Sequence, residues 1–144
     1  MSTATSTDER QLAVKVLTPE GAVFEGRVRM VVAPSVEGEI GILPRHMPVV
    51  ALLRPGETRL RITDGDDVVL ATTAGYMSVE FDTVVILVEQ AEPYHQIDRA
   101  RAEAALARAR EELAAAGDDD EATDRAKAAI HRAENRLKVV DRNG

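Results

Sequence analysis

A β-sandwich or β-barrel followed by an antiparallel two-helix hairpin is the fold class this sequence predicts, and three observations predict it. The composition changes abruptly near Pro93. Before that point the chain is dense in Val, Ile and Thr, with Gly or Pro recurring every several residues, which is the pattern of short strands joined by turns. After it there is no proline, Gly117 and the terminal Gly144 are the only glycines, and alanine dominates, which is the pattern of helices.

The strand-like runs cover residues 12–17, 26–33, 49–53, 58–63, 67–73, 76–81 and 84–88. Their shortness and close spacing favour an all-β sandwich or barrel. Alternation is clearest in Leu60-Arg61-Ile62-Thr63 and in Met77-Ser78-Val79-Glu80-Phe81, where every second side chain is apolar, as antiparallel strands with one wet face require. Asp64-Gly65 between two such runs signals a hairpin.

In the helical part, Ala102, Leu106, Ala109, Leu113 and Ala116 recur at spacings of 4, 3, 4 and 3, and so do Ala126, Ile130, Ala133, Leu137 and Val140. Each helix therefore carries one apolar seam. Gly117 ends the first helix, and Asp118-Asp119-Asp120 caps the second and complements its dipole. The seam is mostly alanine, which permits close approach but yields far less than the ~1.5–3 kcal/mol of a buried Leu. Such a hairpin is either a permanently folded tail or one that opens. Three segments follow: residues 1–10 as a disordered N-terminal tail, 11–92 as the sandwich and 93–144 as the hairpin.

Length, charge and composition narrow the function. The 144 residues fit one core or a small domain with an appendage, and 44% hydrophobic with 30% charged residues is ordinary for a soluble protein. A net charge of −7 argues against nucleic acid as a partner. The absence of Cys removes disulfides and thiolate chemistry, and the N-terminal MSTATSTDER has no secretory h-region, so a cytosolic address is the default. His46, His95 and His131 show no ligand spacing, and no metal is assigned. Neither a Gly-x-x-x-x-Gly-Lys-Ser/Thr loop, nor His-Glu-x-x-His, nor Gly-x-Ser-x-Gly is present, so no catalytic residue is assigned.

The stretch Glu37-Gly38-Glu39-Ile40-Gly41-Ile42-Leu43-Pro44-Arg45-His46-Met47-Pro48, followed by Leu53-Arg54-Pro55-Gly56, reads as a rigid loop that projects Glu39, Arg45 and His46. The plainer reading of His46 is a ring that satisfies a loop carbonyl. This stretch resembles the ε subunit of F-type ATP synthases, in which Gly-Glu-x-Gly-x-x-Pro-x-His-x-Pro and a Pro-Gly turn occupy this point of a β-sandwich and a two-helix hairpin follows. Thr73-Ala74-Gly75-Tyr76-Met77-Ser78-Val79 adds to the likeness, with Ala74 and Tyr76 where relatives usually have Gly and Phe or Ile. The resemblance runs from about residue 12 to residue 140.

A second part of the resemblance is Ile97-Asp98-Arg99-Ala100-Arg101-Ala102, which is similar to the Ile/Leu-Asp-x-x-Arg-Ala motif of ε subunits that bind ATP. It implies an ATP site made by Glu92, Ile97, Asp98, Arg101, Ala102, Arg108, Arg132 and Arg136. On helices, Arg101 with Arg108 and Arg132 with Arg136 each share a face, so a folded hairpin brings these forks onto a triphosphate. The plainer reading is a solvated face with Asp98–Arg101 and Arg108–Glu112 ion pairs.

The resemblance thus implies a noncatalytic rotor subunit at the cytoplasmic face of the plasma membrane. Its sandwich docks on the γ subunit and the c-subunit ring through Glu39, Arg45 and His46. Its hairpin folds or extends toward the catalytic α and β subunits and inhibits ATP hydrolysis when extended. No cofactor is required, and ATP is the regulatory ligand. The alternative is a stand-alone protein that senses or hydrolyses nucleotides.

Overall fold

The computed structural model describes residues 10–144. These divide into two compact units that meet between Ala91 and Glu92. The first holds nine strands: β1 (Leu12–Thr18), β2 (Gly21–Val28), β3 (Met30–Ser35), β4 (Gly38–Ile42), β5 (Val49–Leu53), β6 (Gly56–Arg61), β7 (Val68–Thr72), β8 (Gly75–Glu80) and β9 (Thr83–Val88). A short β10 (Ala91–Pro93) straddles the junction. The expected disordered tail lies, for residues 1–9, outside the described residues; Arg10 stands 3.9 Å from the Asp82 carboxylate.

Hydrogen bonding runs along β7-β6-β3-β5-β8-β9-β1-β2, with β4 added to β3. β3 and β5 share only the partner pair Ser35↔Leu53, so the path folds there into two layers, β4-β3-β6-β7 and β5-β8-β9-β1-β2. Between them lies the core that the alternation predicts. Val31, Ala33, Ile42, Leu60 and Leu70 face Leu12, Val14, Val16, Met77, Val79, Val84 and Ile86, all buried. Two threonines share this interior, Thr58 and Thr72, whose hydroxyls bond each other at 2.9 Å. Gly75 is dictated by close approach, since a Cβ there would be driven into the Leu87 carbonyl oxygen of β9.

The sequence runs map onto β1, β5, β6, β7, β8 and β9 within a residue or two, and three features differ. The predicted run 26–33 is two strands separated at Arg29. The segment read as a loop from Glu37 to Pro48 contains β4, whose glycines masked its strand character. One pair is parallel, β1 with β9.

In the second unit, a 3₁₀ turn (Tyr94–Gln96) leads into helix α1 (Arg99–Ala115) and then α2 (Asp120–Asn143). Both starts are capped by aspartate. The Asp98 carboxylate accepts from the Arg101 amide, and that of Asp119 from the Ala122 amide, each at 3.1 Å. Gly117, with φ 57°, turns the chain between the helices. The predicted seam is present, with Ala102, Ala109, Ala126 and Ala133 buried; at its far end Val139 is buried rather than Val140. Arg99–Asp141 and Arg110–Glu134 tie α1 to α2 across the seam, in antiparallel order.

Candidate functional site

The sandwich places its polar candidates at two points. Glu39 lies on β4 opposite Pro34 and is exposed beside the β3–β4 turn, while Arg45 and His46 follow the other end of that strand. At ~3.3 Å per residue the three residues of strand after Glu39 span roughly 10 Å, so the three side chains do not form one cluster. His46 takes its plainer role, with Nδ1 2.7 Å from the Met47 carbonyl oxygen.

Arg45 marks a locked corner. Its φ of 70°, with 51° at Phe81 and 59° at Asp82, makes up the left-handed non-glycine backbone among the described residues, and all three meet here. The Arg45 amide donates to Asp82 Oδ1 at 2.6 Å, and the Asp82 carbonyl accepts from the Ala13 amide at 2.9 Å. Phe81 and Asp82 form the two-residue β8–β9 turn, a position where Asn-Gly is the unstrained choice. Phe81 is nevertheless 86% exposed. The corner thus combines left-handed backbone held by surrounding hydrogen bonds with an apolar ring in water.

The Phe81–Asp82 turn closes one end of the β5-β8-β9-β1 layer, and the outer face of that layer is apolar. Register aligns Leu52, Tyr76, Leu87 and Leu17 across the four strands in one row, with Val50, Ser78, Val85 and Lys15 in the next. Val50, Leu52, Tyr76 and Leu87 are each about half exposed or more, and so are Leu43 and Met47 nearby in the chain. Sequence reasoning assigned none of these, although the signal was present: Val49-Val50-Ala51-Leu52-Leu53 has no polar alternate, so both faces of β5 are apolar.

The second unit contains a cavity of about 250 Å³. Glu92, Ile97, Asp98, Arg101, Ala102, Arg108 and Arg136 line it, which is the predicted set apart from Arg132, and Gln96, Ala104 and Ala105 complete the wall. The helical period explains the convergence. Arg101, Ala104, Ala105 and Arg108 fall on one face of α1, and the small alanines leave the space between the two arginines. Arg136 reaches the cavity from α2, where its Nε donates to Glu92 Oε1 at 2.8 Å. Arg132, one turn earlier, is exposed and does not line the cavity.

The anticipated Asp98–Arg101 and Arg108–Glu112 ion pairs are not formed among the described residues. Asp98 is engaged with a backbone amide instead, and the guanidinium groups of Arg101 and Arg108 have no carboxylate of the described residues within 4.0 Å. By contrast Arg99, Arg110 and Arg125 are each paired. Two unneutralised arginines in one cavity of an otherwise acidic chain have the geometry to bind an anion with several oxygens.

Two family models match the chain in tandem. One is described as ATP synthase, Delta/Epsilon chain, beta-sandwich domain, over residues 11–94, and the other as ATP synthase, Delta/Epsilon chain, long alpha-helix domain, over residues 95–141. The chain is 45% identical over 128 residues to the ATP synthase epsilon chain of Exiguobacterium sp., covering 89% of this chain and 94% of that one. It is also 45% identical to the epsilon chain of Halalkalibacterium halodurans over 131 residues, 91% of this chain and 98% of that one. Its fold is similar to a chain in the mitochondrial ATP synthase OSCP/F1/c-ring structure of Euglena gracilis, with TM-score 0.75 and 22% identity, covering 88% of this chain and 79% of that one. A chain of the central stalk and c-ring structure of Tetrahymena thermophila mitochondrial ATP synthase matches with TM-score 0.56 and 16% identity, over 90% and 96%.

Proposed function

Because this chain belongs to the ATP synthase delta/epsilon family, we propose that it is the epsilon subunit of an F-type ATP synthase, a noncatalytic part of the rotating central stalk. The observation that carries the proposal is the exposed apolar face of Val50, Leu52, Tyr76 and Leu87 on the layer whose β8–β9 turn makes the corner of Arg45, Phe81 and Asp82. A face of that kind on an acidic protein of this size needs a protein partner. In the reading offered here the γ subunit covers it, and Glu39, Arg45 and His46 contact γ or the c-subunit ring. Related structures come from F1/c-ring and central-stalk assemblies, which supports this choice of partners.

The hairpin is the regulatory part. ATP bound by Arg101, Arg108 and Arg136 holds it compact; without ATP the helices separate and α2 presents Arg125, Lys127, Arg132, Arg136 and Lys138 to acidic loops of the catalytic α and β subunits, slowing ATP hydrolysis. A ligand shifts such an equilibrium only by its differential affinity for the two states. That Arg132 stands outside the cavity fits a role in the extended state rather than in the ATP-held one. This scheme puts the chain, as a peripheral subunit, on the cytoplasmic face of the plasma membrane in an assembly that carries protons; no helix among the described residues is long and apolar enough to cross a membrane.

Affinity capture tests the stalk assignment: tagged chain is expected to recover γ, α and β together. Capture without γ would overturn it. The isolated chain is expected to show no steady-state ATP hydrolysis, and hydrolysis at a measurable rate would favour the stand-alone nucleotide protein instead.

A further inference from the structure

The Glu92–Arg136 pair stands apart from the other ion pairs of the second unit. Arg99–Asp141, Arg110–Glu134 and Arg125–Glu121 are made by exposed side chains away from the cavity. Glu92 and Arg136 are both cavity-lining and about one-third exposed, and their 2.8 Å contact is the shortest charge-assisted bond at the cavity. The three lining arginines are thus unequal. Arg101 and Arg108 line the space with no carboxylate partner among the described residues, whereas Arg136 already holds a carboxylate oxygen.

We propose that Glu92 is a resident competitor for the anion site: its carboxylate occupies Arg136 in the empty cavity and must yield that arginine when a polyphosphate binds. The proposal rests on the reading of the cavity as a polyphosphate site. With both carboxylates in place the lining carries three positive and two negative side chains. Asp98 cannot retreat, because its carboxylate caps α1 through the Arg101 amide. Glu92 can, since it belongs to β10 at the start of the unit and its side chain bonds only Arg136 among the described residues. Anion binding therefore exchanges one Arg136 partner for another and frees the Glu92 side chain. This lowers net affinity by the strength of the pair, ~0.2–1 kcal/mol for a partly exposed ion pair. It also makes β10, the segment that joins the two units, the first backbone to sense occupancy.

Competition and direct ligand contact give opposite signs, and a probe without a base separates them. Isothermal titration of the full chain with sodium tripolyphosphate, and separately with ATP, is the measurement. Glu92→Gln is expected to bind tripolyphosphate about three- to fivefold more tightly than the wild type. Arg136→Gln is expected to bind it more weakly, and adding Glu92→Gln to Arg136→Gln is expected to change little, since the competitor has lost its target. Far-UV circular dichroism verifies that each variant keeps its helices. Unchanged or weaker tripolyphosphate binding by Glu92→Gln overturns the proposal while leaving the cavity an anion site. Weaker ATP binding with unchanged tripolyphosphate binding overturns it too, and makes Glu92 a contact to the base. If neither ligand binds the wild type or Glu92→Gln, the polyphosphate reading fails and the competition with it.

Discussion

The sandwich and the hairpin are held together by different materials. The sandwich buries Leu12, Ile42, Leu60, Leu70, Met77 and Ile86 among a dozen fully enclosed branched or long side chains, so each contact removes substantial apolar area from water. The hairpin buries Ala102, Ala109, Ala126 and Ala133, and Val139 is the largest side chain fully enclosed among them. At ~25 cal/mol per Å² the first arrangement gives ~1.5–3 kcal/mol per residue and the second a fraction of that. A hairpin of this kind depends on aspartate caps and a few cross-helix ion pairs. The sandwich can serve as a fixed mount, and under the proposed function the hairpin is an element whose state a ligand of ordinary affinity decides.

The comparison breaks most visibly at Gly75. A Cβ there collides with the Leu87 main-chain carbonyl on the neighbouring strand, and neither can yield without opening the β8–β9 ladder. Gly75→Val is expected to abolish the cooperative thermal transition of the sandwich. If the variant melts cooperatively within a few degrees of the wild type, the account of how the two strands pack is wrong.

Ile86→Ala removes a fully enclosed side chain from the centre of the core and is expected to cost ~2–5 kcal/mol by urea denaturation. Ala133→Gly, at an equally enclosed position of the hairpin, removes one methyl and helix propensity, and ~1 kcal/mol is expected. Similar costs at the two sites would erase the distinction drawn between the units. Chain ending after residue 96 sharpens it from the other side: the sandwich is expected to remain folded and to join a γ-containing complex.

Ligand should act on one unit only. At an ATP concentration 100 times Kd, linkage adds ~2.7 kcal/mol, comparable to what the alanine seam lacks. Hydrogen exchange of α1 and α2 amides is expected to slow by that amount in ATP while the strands are unaffected. Dyes near residues 96 and 144, brought together by the antiparallel order of Arg99–Asp141 and Arg110–Glu134, are expected to show compaction. Replacing Arg101 and Arg108 by Ala should remove both effects. Wild-type chain that shows neither with millimolar ATP would leave the stalk assignment standing and remove the sensor.

How much was legible in the sequence follows the same division. The cap of α2, the turn and the seam were readable because helix signals are local, Asp119 and Gly117 acting within one turn of the chain, whereas Asp98, expected to pair with the Arg101 side chain, caps α1 through the Arg101 amide. Periodicity alone put Arg101 and Arg108 on one face of α1, whereas the rest of the cavity lining was legible only through the family resemblance. Arg132 could not be placed, because which of two arginines one turn apart reaches across depends on the rotation of α2, set by tertiary packing. In the sandwich the core strands were readable from alternation, but β4 was hidden by Gly38 and Gly41, and the corner of Arg45, Phe81 and Asp82 is made by contacts 37 residues apart in sequence. The exposed row Leu52, Tyr76 and Leu87 exists only once register is known.

The smallest expected change in stability comes with a large expected change in assembly. Glu39 is exposed on β4 with no ion pair among the described residues, and the His46 ring, as distinct from its backbone amide, meets only the neighbouring Met47 carbonyl among them. Replacing both by Ala should therefore cost less than ~0.5 kcal/mol in a denaturation experiment. If these side chains contact γ or the c ring, the same variant should reduce complex yield or proton pumping driven by ATP hydrolysis in inverted membrane vesicles. The two residues lie at opposite ends of β4, so the single variants should each give part of the loss. Losses that add would mean two separate contacts, whereas either single variant giving the whole loss would mean one contact made at one end of the strand. Normal yield and pumping in the double variant would shift the docking surface onto the apolar face of Val50, Leu52, Tyr76 and Leu87 alone, where Tyr76→Glu should then prevent assembly without unfolding the sandwich.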